Sequence, residues 1–270
     1  MQQPMSRRKK TQRIESIARC LEILNAFSID QPEIGVSATS RKLGVHRSTV
    51  SRLLKSLEAG GIVQQSPETG KYRLGLKILE LAGIFLSSLD VRAVVRPFAQ
   101  ALAEKTGETV NLAILDGFEA VNIEQIPSPH PIKYIGWIGR RTPAHCTATG
   151  KALLAFQPKA LQEKVIRRGL PARTPRTITA PQAFWRELER IRRRGYAVAE
   201  EEFEEGLSAI AAPIRDHSGR VVAVISISGP SYRLTSQVIR GLVPLLLEEA
   251  HAISAQLGYR GEGSPAETPE

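Results

Sequence analysis

The segment VSATSRKLGVHRSTVSRLLK, residues 36–55, decides how the N-terminal part of the chain folds. Two short helical patterns meet at Gly44. Ser37 is a good N-cap for a helix that closes at this glycine. A second helix runs from about Arg47 to Glu58, with Val50, Leu53, Leu54 and Leu57 on one face and Gly60-Gly61 as its stop. Two short helices joined by a tight glycine turn read as a helix-turn-helix. Burying the apolar face of the second helix leaves His46, Arg47, Ser48, Thr49, Ser51, Arg52 and Lys55 outward. With Ser37 these are the candidate DNA-contacting residues. Arginine can bond guanine bidentately, serine and threonine can bond phosphates or bases, and a helix N-terminus favours phosphate. An ordinary solvated polar face is the competing reading of the same residues.

The flanking sequence favours DNA. Downstream, residues 62–65 and 71–74 enclose Ser66-Pro67-Glu68-Thr69-Gly70 and read as a hairpin. That wing is expected to carry Lys71, Tyr72 and Arg73 to the DNA backbone or minor groove. Upstream, Ile14, Ile17, Ala18, Leu21 and Leu24 recur at helix spacing until Asp30-Gln31-Pro32. Charge is concentrated in the same region. The chain carries +10 in all, and residues 1–75 hold 13 Lys/Arg against 6 Asp/Glu. Such a basic segment is the footprint of a phosphate-backbone binder. The expected organisation is a disordered basic tail (1–12) and a winged helix-turn-helix (13–75). A linker helix (76–90) and a larger domain (91–258) follow, and a tail (259–270) is expected to be disordered.

The linker is apolar on most sides, which requires burial in a core or against a second subunit. From Val91 the pattern changes. An amphipathic helix ends at Gly107, and strands 109–115 and 120–126 flank Asp116-Gly117, a hairpin signal. Residues 132–138 read as a further strand. Helices are expected over 147–156, 159–168 and 181–193, strands over 208–215 and 221–228, and a closing helix over 235–257. Hairpin strands with helices grouped before and after them indicate an α+β domain, an antiparallel sheet covered by helices.

Composition limits the alternatives. The chain has 270 residues, 42% hydrophobic and 24% charged, ordinary for a soluble chain of two domains. No apolar run reaches the ~20 residues of a membrane span, and no signal peptide is read at the basic N-terminus. Cys20 and Cys146 cannot build a disulfide framework or a zinc site, so a cytoplasmic setting without metal or other cofactor is expected. Gly150-Lys151 looks like the end of a phosphate loop, but His145 and Ala152 stand where Gly and Ser/Thr are needed. His145-Cys146 are sequence neighbours and ill placed to act as base and nucleophile. The acidic run 200–205 has no histidine and reads as a solvated or interface face. No catalytic residue is assigned and no enzyme activity is expected.

The stretches SIARCLEILNAF, LGVHRSTVSRLLKSLEAGGIV and TGKYRLGLKILELA resemble the DNA-binding half of the IclR family of bacterial regulators. TGETVNLAILDG, IGRRTPAHCTATGKALLA, TPRTIT, RRRGYAVAEEEFEEGLSAIAAPIRDHSGRVVAVISISGP and ISAQLG are similar to its C-terminal half, in the same order. One departure is Thr39-Ser40, where members usually carry an apolar-small pair. The resemblance implies a GAF-like effector-binding domain, a homodimer and a homotetramer on double-stranded operator DNA. It also implies an effector pocket that uses Ala148 and Thr149 at the start of a helix, and Ser226 and Ser228 on one face of a strand. Two further pocket positions match Ala199 and Ala209, where acid-binding members carry polar side chains; a one-residue slip would put Glu200 at the first. The alanines imply a roomier, less polar pocket and a larger effector, such as an aromatic or branched carboxylic acid.

Overall fold

The structure is a computed structural model that describes residues 14–28, 30–87 and 90–261. Residues 1–12 and most of the 259–270 tail lie outside the described residues. The chain divides into two compact units between Ser88 and Leu89.

The first unit contains α1 (Glu15–Leu24), β1 (Glu33–Ile34), α2 (Val36–Leu43), α3 (Arg47–Ala59), β2 (Val63–Gln65), β3 (Tyr72–Leu74) and α4 (Leu76–Ser87). The strands form a sheet in the order β1-β3-β2. Sequence reading missed β1, which is two residues long and carries no periodicity. Ile23, Ala26, Ile34, Val50, Leu54, Val63 and Tyr72 form the core. The glycine turn holds: Gly44 caps α2 in the left-handed region at φ 64°, where a side chain would be strained. The predicted start of α2 does not hold. Gly35 is the N-cap, Ser37 lies inside the first turn, and no side chain caps that end. In α1 the stripe read from the spacing is not the buried face: Ile14, Ile17 and Leu21 are exposed and Ala18 and Leu24 half-buried, whereas Ile23, outside that stripe, is fully buried. Leu76, Leu79 and Leu81 of α4 are exposed as well.

The second unit contains α5 (Asp90–Thr106), β4 (Thr109–Asp116), β5 (Glu119–Ile126), β6 (Arg141–Pro143), α6 (Ala148–Ala155), α7 (Lys159–Arg168), α8 (Pro181–Arg194), β7 (Ala197–Glu200), β8 (Leu207–Arg215), β9 (Val221–Pro230) and α9 (Ser236–Gln256). These strands pair antiparallel in the order β6-β5-β4-β9-β8-β7. Helices α6 and α8 pack on the sheet face that carries Ala113, Ala197, Ala199, Ala211 and Val224. Because strand side chains alternate, Leu112, Ile210, Ile225 and Ile227 point to the opposite face, where α5 and α9 pack. This is the α+β sheet covered by helices that the sequence predicts.

Residues 132–138 are not a strand. Pro127, Pro129 and Pro131 lead into the segment and cannot donate ladder hydrogen bonds. Gly136 packs under Gln125, which a Cβ there would meet at 2.5 Å. Ile132, Ile135, Trp137 and Ile138 are left exposed. The sheet edge is instead β6, whose Ala144 neighbour sets how close α6 can come. A Cβ on Gly150 would stand 2.3 Å from Ala144 Cα. That glycine brings the first turn of α6 down onto the sheet.

Candidate DNA-reading face and effector cavity

The N-terminal end of α3 is organised by His46. Its Nδ1 accepts from the Ser48 N–H at 3.3 Å and lies 2.8 Å from Ser48 Oγ. Val50 and Leu54 are fully buried. Arg47, Ser48, Arg52 and Lys55 are exposed, and Thr49 and Ser51 half-buried beside them. Ser37 is exposed on α2, and buried Thr39 takes the helix-packing position. On the hairpin, Lys71 and Arg73 are exposed, but Tyr72 is not a surface residue. It is 3% exposed and joins the core, opposite Ile34 and Gln65. Three consecutive strand residues cannot share one face, so the wing presents Lys71 and Arg73 without Tyr72.

In the second unit one cavity gathers all six residues that the resemblance singled out. Ala148, Thr149, Ala199, Ala209, Ser226 and Ser228 line it, with Asn111, Asn122, Tyr134, Thr142, Thr147, Phe203 and Leu207. The sheet register explains the gathering. Ala199 pairs with Ala209, Ala209 with Ser228, and Asn111 with Ser226. Glu200 therefore points to the other side, into a separate groove with Arg190 and Arg194, and the one-residue slip is not what forms.

The walls are polar but uncharged. Thr147 Oγ1 caps α6 by accepting from the Gly150 N–H at 3.1 Å. The N–H groups of Ala148 and Thr149 are those a helix start leaves without an intrahelical acceptor. Asn111 Nδ2 donates to Ser228 Oγ at 2.9 Å. Ser226 Oγ is fully buried and has no hydrogen-bond partner among the described residues. A buried hydroxyl without a partner costs stability.

The expected roomier, less polar pocket is not observed. Tyr134, Phe203 and Leu207 close in on the alanines, and about 40 Å³ is open to the centre of a water-sized sphere. At roughly 10–15 Å³ per water this is space for about three waters. Asn111, Asn122 and Thr142 add polarity that sequence reading missed. One signal was available: Asn111 interrupts the apolar run of β4. Tyr134 and Phe203 come from irregular segments and carried none.

Beneath the cavity lies a buried ion pair. Lys151, 1% exposed, places Nζ 2.5 Å from Glu202 Oε1 and 3.7 Å from Glu187 Oε1. Glu202 was expected on a solvated or interface face with its acidic neighbours. Instead burial pushes its carboxyl above the usual range, and Lys151 pulls the other way. The bridge ties α6 to the segment that carries Phe203. Cys146 is buried and its thiol is pushed up to about 12 by desolvation. The neighbouring His145 ring bonds the Pro171 carbonyl at 2.9 Å, and burial lowers its pKa. These two side chains do not form an activated nucleophile–base pair.

A family model for the bacterial transcriptional regulator IclR C-terminal domain matches residues 84–255, and one for the IclR helix-turn-helix domain matches residues 16–67. The chain belongs to the IclR family of bacterial transcriptional regulators. It is 35% identical over 247 residues to the HTH-type transcriptional regulator XynR of Escherichia coli K12, covering 91% of this chain and 98% of that one. It is 36% identical over 253 residues to the regulator KdgR of the same organism, covering 93% and 95%. Among solved structures it is similar to an IclR homolog from Microbacterium hydrocarbonoxydans complexed with 4-hydroxybenzoate. That match has a TM-score of 0.81 at 28% identity and covers 90% of this chain and 98% of the other. As an IclR-type regulator the protein binds DNA through its helix-turn-helix. No helix among the described residues is long and apolar enough to cross a membrane.

Proposed function

We propose that this regulator responds to an aromatic carboxylic acid bound in the cavity between α6 and the sheet. The observation that carries the reading is the convergence of the free N–H groups of Ala148 and Thr149 with the unpartnered hydroxyl of Ser226. A helix N-terminus attracts an anion through its dipole and its unused donors. A carboxylate there needs no side-chain cation, and the uncharged walls fit that arrangement. The complex of the Microbacterium homolog with 4-hydroxybenzoate supports an aromatic acid as the class.

In this reading the DNA is contacted by Arg47, Ser48, Thr49, Ser51, Arg52 and Lys55 of α3, by Ser37 and His46 beside it, and by Lys71 and Arg73 of the wing. The exposed leucines of α4 suit a homodimer interface, with a homotetramer assembling on operator DNA in the cytoplasm. The acid favours one arrangement of the effector domain and so biases how two DNA-reading heads are held.

A thermal-shift series with benzoate, 4-hydroxybenzoate, glyoxylate and pyruvate tests the reading. Stabilisation by the aromatic acids that grows with concentration is expected. Stabilisation by the two small oxo-acids alone would overturn it.

A further inference from the structure

The cavity has a single-layer wall toward the outside. Tyr134 and Leu207 line it on one side and on the other face an outer groove of about 380 Å³, whose walls include Lys133, Arg140, Glu204 and Glu205. Arg140 is held in a cage of rings. Its guanidinium carbon lies 5.0 Å from the Tyr134 ring centroid, 4.9 Å from Trp137 and 5.9 Å from Phe203. One N–H group donates to the Ile135 carbonyl at 2.7 Å. Among the described residues no carboxylate lies within ion-pair distance of it.

The size of the cavity then matters. Its 40 Å³ accommodates a carboxylate group but not a benzene ring, which needs a void of roughly 150 Å³. A ring attached to a carboxylate at the start of α6 must take space from a wall. Tyr134 belongs to the irregular segment 127–140, outside the sheet, whereas Asn111, Ala209, Ser226 and Ser228 are fixed in paired strands. Phe203 is irregular too, but its neighbour Glu202 is held by Lys151 and by the Thr177 hydroxyl, which leaves Tyr134 as the wall residue that can yield.

We propose that Arg140 is a specificity-determining residue. The aromatic ring of the effector replaces the ring of Tyr134 in the cage, against Phe203 and under the Arg140 guanidinium. A cation favours the electron-rich face of an aromatic ring over a saturated ring of the same size. Arg140 therefore selects aromatic acids from alicyclic ones, while the carboxylate is held separately at Ala148 and Thr149. This inference rests on the proposed use of the cavity for an acid.

Calorimetric titration of the full-length protein with benzoate and cyclohexanecarboxylate separates the two claims. The wild type is expected to bind benzoate the more tightly, by roughly three- to tenfold. In Arg140→Gln the preference falls to near parity while cyclohexanecarboxylate affinity is kept, and Arg140→Lys retains part of the preference. Tyr134→Ala, which vacates the ring position, is expected to tighten benzoate. If the wild type binds neither acid, the reading of the cavity fails and this inference with it. If the wild type binds both equally, if Arg140→Gln keeps the preference, or if it weakens both acids alike, the cavity reading stands and the role of Arg140 is overturned. Weaker benzoate binding by Tyr134→Ala would overturn the ring replacement.

Discussion

Ala199 on β7 stands directly opposite Ala209 on β8, and Ala209 in turn pairs with Ser228 on β9. This row of small side chains forms one wall of the cavity. Ala209→Leu would project into the open space. The cavity takes up part of the added volume, so a cost in stability of about 1–3 kcal/mol is expected. The melting-temperature increase produced by 4-hydroxybenzoate is expected to disappear. An undiminished increase, measured by circular dichroism, would place the acid elsewhere.

The contrast between this row and Tyr134 shows what the sequence made legible. Periodicity and register placed strand faces and helix starts, but the gathering of Thr149, Ser226 and Ser228 in one pocket was implied by the family resemblance, and the three do line one cavity. The long helices and six of the strands were likewise readable from spacing and turn residues. Volume was not readable. Alanines at 199 and 209 suggested space, but Tyr134 and Phe203 arrive from segments with no period and fill it. Tyr72 failed for the opposite reason: its periodicity was legible, and alternation alone places it in the core between exposed Lys71 and Arg73.

Lys151 and Glu202 make a second test. Lys151→Met leaves the Glu202 carboxylate buried with no cation within ion-pair distance among the described residues, since Arg190 and Arg194 pair with Glu187. Removing one member of a buried pair costs about 3–5 kcal/mol. A drop of that order in urea denaturation is expected. The double variant Lys151→Met, Glu202→Gln should recover part of it, because the uncompensated charge is gone. A double variant no more stable than Lys151→Met would mean that impaired packing dominates.

Asp216 in the β8–β9 turn predicts a pH effect. Its carboxylate accepts from the Ser218 hydroxyl at 2.6 Å and N–H at 2.9 Å and from Arg220, and these bonds lower its pKa to about 2. A carboxyl depressed in the folded state stabilises the fold above its ordinary value of 3.8. That contribution is lost as pH falls toward 2. Asp216→Asn keeps the shape but cannot titrate. Its stability is expected to fall less steeply than that of the wild type between pH 4 and 2. Parallel curves would show that other carboxyls carry the acid sensitivity.

The DNA-reading face allows base and backbone recognition to be told apart. Arg47 is the first residue of α3 and exposed, where a side chain can reach a base edge in the major groove. Lys71 and Arg73 are exposed on the hairpin, where a cation can meet phosphate. Arg47→Ala is expected to weaken operator binding by about 1–3 kcal/mol and random DNA much less. Lys71→Ala with Arg73→Ala should weaken both DNAs alike. It should also reduce the slope of log affinity against log salt by about 2, close to 0.9 for each phosphate no longer neutralised. Fluorescence anisotropy at several salt concentrations reads all of these. Equal weakening on both DNAs for Arg47→Ala would reassign Arg47 to the backbone, and an unchanged salt slope for the hairpin pair would remove the wing from the interface.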